Sequence, residues 1–122
     1  MNNRTVLLLE EEAITALDVE HTLADAAVGE VVALARRARA LSWLSAHTPD
    51  LAIIDVSLWD GACDDVAELL ADRQVPFVVH SAWNCEFGTR NPVFRNSLWV
   101  GKPSRPVHLL TAVRECMDRI PA

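Results

Sequence analysis

A chain of 122 residues that is 51% apolar has the size of one ordinary domain, expected over residues 1–122, and can bury a core without cross-links. Its three cysteines (Cys63, Cys85, Cys116) are an odd number without CxxC spacing, which argues against a disulfide framework or a zinc site and suits a reducing compartment. The net charge of −6 and the dispersed arginines argue against a nucleic-acid-binding stripe, and no charged-then-apolar leader or membrane-length apolar run is visible, so the expectation is a cytoplasmic protein without membrane contact.

Thr5-Val6-Leu7-Leu8-Leu9 is a continuous apolar run that ends in Glu10-Glu11-Glu12, the pattern of a strand covered on both faces. Residues 13–27 predict a helix with Ile14, Leu17, Leu23 and Ala24 as buried candidates, closed by Gly29. Residues 30–34 (Glu-Val-Val-Ala-Leu) predict a second strand. Residues 36–47 predict a helix with Leu41 and Leu44 three apart, broken by Thr48-Pro49-Asp50. Leu51-Ala52-Ile53-Ile54-Asp55 is the clearest buried strand, and it too ends in a carboxylate. Asp60-Gly61 signals a turn, and residues 62–73 predict a helix with Val66, Leu69 and Leu70 on one face.

Residues 76–80 (Pro-Phe-Val-Val-His) predict a fourth strand. The stretch 81–96, with Asn84, Gly88 and Asn91-Pro92, predicts only a short or irregular fourth helix. Leu98-Trp99-Val100 is a brief fifth strand before Gly101-Lys102-Pro103. Val107, Leu110, Val113, Met117 and Ile120 recur at helical spacing after Pro106, whose missing N–H costs little in a first turn. Strand and helix alternate five times, which implies an α/β fold: a parallel sheet with helices on both faces and right-handed crossovers.

In open parallel sheets, ligands bind outside the carboxyl ends of the strands. Glu10 and Glu11, Asp55, Ser81 and Lys102 all stand at such ends. Carboxylates crowded together must protonate, separate or share a cation, and a hard Mg²⁺ ion with oxygen ligands is the natural partner. Lys102, the only lysine, would balance charge on an incoming phosphoryl group, and the Ser81 hydroxyl would donate to one of its oxygens. Asp55 would be the nucleophile that forms an acyl phosphate.

Over nearly its whole length the chain resembles the receiver domain of two-component response regulators. Residues 6–12 resemble the family's first strand and acidic pair, and residues 49–58 its phospho-acceptor strand with Asp55 as acceptor. Residues 78–82 resemble the strand ending in Ser or Thr, and Lys102-Pro103 the family's lysine and the often cis bond after it. The resemblance implies a flavodoxin-like doubly wound five-stranded sheet of order 2-1-3-4-5. It implies Mg²⁺ held by Glu10 or Glu11, by Asp55 and by the backbone carbonyl of Ser57. It implies phosphotransfer from a sensor histidine kinase or phosphotransfer protein, and switch roles for Ser81 and for Trp99, which stands where many members carry Tyr or Phe.

Departures from the family are Glu11 in place of the usual Asp, Trp59 in place of a common Pro, and the irregular 81–96 stretch. The longer Glu11 implies lower metal affinity or a rearranged ligand set. The expected protein is a stand-alone receiver, monomer or weak homodimer, that signals to a downstream protein partner. It would not be an enzyme beyond self-catalysed phosphotransfer and autodephosphorylation. The alternative is a degenerate receiver-like adaptor that binds a partner without phosphorylation. A flavodoxin-like enzyme or nucleotide binder would need a glycine-rich loop that the four glycines do not supply.

Several residues carry plainer readings. Glu12 suits a helix N-terminus, and Ser81 suits an N-cap as well as a phosphate contact. His80 reads as a buried structural imidazole, and His21, His47 and His108 as surface residues. Trp83, Phe87 and Phe94 read equally as packing or partner surface. The cysteines read as bystanders.

Overall fold

The computed structural model describes residues 4–58, 60–82, 91–94 and 97–121. Five parallel strands form the sheet: β1 (Thr5–Leu9), β2 (Glu30–Leu34), β3 (Leu51–Ile54), β6 (Phe77–Ser81) and β7 (Leu98–Gly101). Their spatial order is β2-β1-β3-β6-β7, which is the expected 2-1-3-4-5 order of the five sheet strands. The helices are α1 (Ala13–Asp25), α2 (Arg37–Leu44), α3 (Asp64–Asp72) and α4 (Pro106–Asp118). A short antiparallel hairpin, β4 (Ser57–Leu58) with β5 (Gly61–Ala62), lies between β3 and α3. The sequence signals its Asp60-Gly61 turn but not its strands.

The central strands read as unbroken apolar runs because both faces are covered. Alternate side chains serve two separate cores. Leu7, Leu9, Ala52, Ile54, Phe77 and Val79 pack with residues of α2 and α3, such as Leu44, Val66 and Leu70. Val6, Leu8, Leu51, Ile53 and Val78 pack with residues of α1 and α4, such as Val19, Leu23, Leu109 and Val113. Fully burying each such side chain stabilises the fold by about 1.5–3 kcal/mol, which gives the sheet rim a rigid base.

Two helix faces differ from expectation. On α1 only Leu23 of the four candidates is buried; Ala24 is exposed, and Ile14 and Leu17 are 73% and 53% exposed. The buried face instead runs through Ala16, Val19 and Leu23, because apolar residues occur all round this helix and the sequence leaves its phase open. On α4, Val107 is 61% exposed, and Leu109, Ala112, Val113 and Cys116 form the core face.

Gly29 does not cap α1, which ends four residues earlier with Ala27 in the left-handed region (φ +52°). Gly29 instead permits a close approach. Glu30 N–H donates to the Arg4 carbonyl at 2.8 Å, and a Cβ on residue 29 would lie 2.5 Å from that oxygen. Gly29→Ala is therefore expected to cost about 2–3 kcal/mol by forcing β1 and β2 apart at their start, read as a lower urea midpoint at unchanged slope.

Trp59, Trp83, Phe87, Cys85 and most of the expected fourth helix lie outside the described residues. The described part of that stretch holds a 3-10 turn, Pro92–Phe94. Phe94 is buried and stands edge-to-face between Phe77 and Trp99, with both ring centroids 6.3 Å away, so of its two readings packing is the one seen.

Candidate functional site

The site begins where the ladder of β1 runs out. Glu10 N–H still donates to the Leu34 carbonyl at 3.0 Å, which keeps residue 10 in register with the sheet and turns its carboxylate over the rim. That carboxylate is buried. One of its oxygens accepts from Glu12 N–H at 3.0 Å, and the other forms an ion pair with the Lys102 ammonium. Asp55 follows β3 in the same way, with its N–H on the Leu9 carbonyl at 3.2 Å. Both its oxygens have partners: Ser81 Oγ donates to Oδ1 at 2.9 Å, and Lys102 Nζ donates to Oδ2 at 2.8 Å.

Ser81 closes β6 and is fully buried. Its carbonyl accepts from Lys102 N–H at 2.9 Å, which docks the segment after β7 onto the end of β6. The Lys102–Pro103 bond is cis. Lys102 reaches Asp55 and Glu10 from one side, Ser81 reaches Asp55 from the other, and four of the five rim groups expected from sequence meet.

Glu11 does not join them. Its side chain is exposed, and among the described residues it has no hydrogen-bond or ion-pair partner. Two carboxylates crowd the site rather than three, and among the described residues no group of three or more His, Cys, Asp or Glu is placed to hold a metal. Glu12 is the N-cap residue of α1, where its charge suits the helix dipole; its carboxylate accepts from the Thr15 hydroxyl at 2.6 Å. The backbone of Ser57 lies in β4, two residues beyond Asp55.

Charge in this cluster is unevenly matched. Two carboxylates share one ammonium, which leaves a net negative charge in a poorly solvated place. Burial works to lower the Lys102 pKa, but hydrogen bonds to Asp55 and then Glu10 outweigh it and hold the amine above its ordinary 10.5. A raised folded pKa contributes stability that is complete below the unfolded value and is lost as pH rises through the folded one. The contribution of Lys102 is therefore expected to be kept up to about pH 10 and lost above that. A Lys102→Met variant should lose less melting temperature than wild type above about pH 10 in a series from pH 7 to 12, the buried thiols giving both proteins the same loss from about pH 9.

Nearby titratable groups are silenced. Burial, then the neighbouring Lys102 charge, push the His80 imidazole below its ordinary 6.5, so it is neutral at pH 7. It is buried, as expected, and its Nε2 lies 2.9 Å from Ser104 Oγ. His21, His47 and His108 are exposed. Burial, then the Asp55 charge, push the Cys63 thiol up to about 12, and burial does the same for Cys116, so neither is a reactive thiolate. A cleft of about 800 Å³ opens beside the cluster between α1 and α4. Lys102, His80 and Ser104 line it and Asp55 does not, so it adjoins the Asp55 carboxylate rather than containing it.

The hydroxyl and the amine that meet on the buried Asp55 carboxylate are donors of the kind that bind groups carrying several anionic oxygens. The fold that builds this rim is shared. A response regulator receiver protein from Sinorhizobium medicae superposes with a TM-score of 0.84 at 30% identity, over 95% of each chain. The chain belongs to the response regulator receiver family.

Other receivers share the fold at lower identity. The chemotaxis response regulator CheY4 of Vibrio cholerae matches with a TM-score of 0.82 at 21% identity, over 94% of this chain and 99% of that one. The receiver domain of a Pseudomonas aeruginosa sensor histidine kinase, solved with a magnesium ion coordinated in its active site cleft, matches with a TM-score of 0.80 at 16% identity. It covers 95% of this chain and 98% of its own. No protein-family model and no curated protein matches this receiver by sequence. Among its described residues no helix is long and apolar enough to cross a membrane.

What sequence reasoning missed lies around the loop after Asp55. Asp60, legible only as a turn residue, accepts from two backbone N–H groups at the start of α2, and Arg37 pairs with Asp65. These partners are more than twenty residues apart, and no local pattern announces them.

Proposed function

We propose that this receiver is a phospho-acceptor in which Asp55 takes a phosphoryl group from a histidine kinase or a phosphotransfer protein. The observation that carries the proposal is the double engagement of the Asp55 carboxylate by Ser81 and Lys102. One oxygen of Asp55 attacks phosphorus, the P–N bond to the donor imidazole breaks, and the imidazole leaves with its electron pair. Ser81 and Lys102 then pass from the carboxylate to the new phosphoryl oxygens, moving the ends of β6 and β7 with them. Trp99 on β7 is the aromatic that such movement would shift. A switch needs contacts present in one state only, and this exchange supplies them.

The donor set suits Mg²⁺. Glu10 and Asp55 touch one ammonium, so they are near enough to share one small cation, they are hard oxygen donors, and the cluster retains net negative charge. Glu10, Asp55 and the Ser57 backbone carbonyl would hold the ion, with Glu11 at the open rim. When bound it would neutralise charge on the transferring group. The protein would work in the cytoplasm as a stand-alone domain, monomer or weak homodimer. It would read out to a downstream protein by contact and do no chemistry beyond its own phosphorylation and dephosphorylation. Purified protein given acetyl phosphate and Mg²⁺ should gain one phosphoryl mass, and chelation of Mg²⁺ should prevent the gain. No gain with Mg²⁺ present would contradict the proposal and favour an adaptor that works unphosphorylated.

A further inference from the structure

The loop after Asp55 is not free. Cys63 N–H donates to the Val56 carbonyl at 2.9 Å, and β4 pairs with β5 through Ser57↔Ala62 and Leu58↔Gly61. The tip of this hairpin is tied to a different part of the molecule. The Asp60 oxygens accept from Arg37 N–H at 2.8 Å and from Ala38 N–H at 3.0 Å. These are the first two residues of α2, whose own N-cap residue, Arg36, offers no side-chain cap. A carboxylate reaching across from the hairpin therefore supplies the cap and meets the positive end of the helix dipole. The two backbone N–H bonds hold Asp60 below the usual carboxylate range, so it is ionised at neutral pH.

A second tie runs the opposite way. The Arg37 guanidinium reaches Asp65 in the first turn of α3, with Nε 3.1 Å from Oδ1 and a further contact through Nη2. Its side chain passes over Gly61, where a Cβ would stand in ordinary van der Waals contact with Arg37 Cδ, 3.5 Å away. The hairpin is thus gripped from both ends by residue 37: its backbone holds Asp60, and its side chain holds the start of α3. In the function proposed above Ser57, the first residue of that hairpin, would offer its backbone carbonyl to the ion, so no side chain at position 57 would tune that ligand. Its placement must come from whatever anchors the hairpin.

Resting on the phospho-acceptor function proposed above, we infer that Asp60 is a positioning residue that, with Arg37, sets the height of the acceptor loop and hence the affinity for Mg²⁺, acting through the hairpin and not on the reacting atoms. Helix α2 thereby becomes a lever on the metal site, although it contributes no group to it.

The test compares Asp60→Ala and Asp60→Asn with wild type in two measurements: Mg²⁺ titration followed by tryptophan emission, and acetyl phosphate uptake at low and saturating Mg²⁺. Removing a group one step behind a ligand typically weakens metal binding by about tenfold or more. Asp60→Ala is expected to raise the Mg²⁺ dissociation constant by about tenfold, with uptake close to wild type at saturating Mg²⁺. Asp60→Asn keeps an accepting oxygen and should recover most of the affinity. Arg37→Met leaves the backbone cap in place and should weaken Mg²⁺ in the same direction by less; it decides the matter if Asp60→Ala does not fold. An unchanged Mg²⁺ midpoint in folded Asp60→Ala, or in Arg37→Met where Asp60→Ala does not fold, or uptake reduced equally at every Mg²⁺ concentration, would overturn the inference. A wild-type protein that takes up no phosphoryl group would instead defeat the phospho-acceptor function itself.

Discussion

Lys102→Met is expected to destabilise the receiver by about 3 kcal/mol at neutral pH in the absence of divalent ions, because it leaves two buried carboxylates facing each other without their cation. The ammonium touches both Glu10 and Asp55, and their side chains are 3% and 9% exposed, so water cannot replace it cheaply. The same loss removes the competitor for the site. Mg²⁺ should therefore bind the variant more tightly than wild type and restore most of its melting temperature. Phosphoryl uptake should nevertheless be slower, since no amine remains to meet the incoming oxygens. Melting curves with and without Mg²⁺ read the stability effects, and the time course of acetyl phosphate uptake reads the rate. A variant as stable as wild type in chelator, or one indifferent to Mg²⁺, would show that the lysine does not balance these acids.

Asp55→Asn is expected to abolish phosphoryl uptake altogether while leaving the fold intact. The amide oxygen of Asn can still accept from Ser81 Oγ or from Lys102 Nζ, and Lys102 keeps its ion pair with Glu10. The stability change should therefore stay near 1 kcal/mol, the scale of one altered hydrogen bond. An amide is too weak a nucleophile to form the acyl phosphate, so uptake should vanish rather than diminish. Intact-mass measurement after acetyl phosphate treatment separates the two outcomes, and undiminished uptake would place the acceptor elsewhere.

The parts of this protein that sequence made legible share one property: they are decided locally. The strands declare themselves because burial on both faces demands unbroken apolar runs, as in Leu51–Ile54, and the rim residues follow from where those runs stop. Helix phase was less legible. Apolar residues surround α1, so only the sheet beneath it decides that Val19 and Leu23 turn inward while Ile14 and Leu17 face solvent. The choice between Glu10 and Glu11 was open for a related reason. It depends on one further ladder bond, from Glu10 N–H to the Leu34 carbonyl, which carries the strand geometry one residue past the apolar run. The cap of α2 by Asp60 spans 23 positions in sequence, and Gly29 owes its place to the Arg4 carbonyl across two strands. Such contacts exist only once the sheet has brought distant segments together.

The central claim is that the Asp55 carboxylate is the atom group that takes phosphate. Its most direct test is chemical trapping: the receiver is treated with acetyl phosphate and Mg²⁺, reduced with borohydride, digested and sequenced by mass spectrometry. Reduction of an aspartyl phosphate yields homoserine, and homoserine at position 55, absent when Mg²⁺ is chelated, is the expected result. Homoserine at another position, or an unreduced aspartate at 55 in protein that carries the phosphoryl mass, would contradict the account.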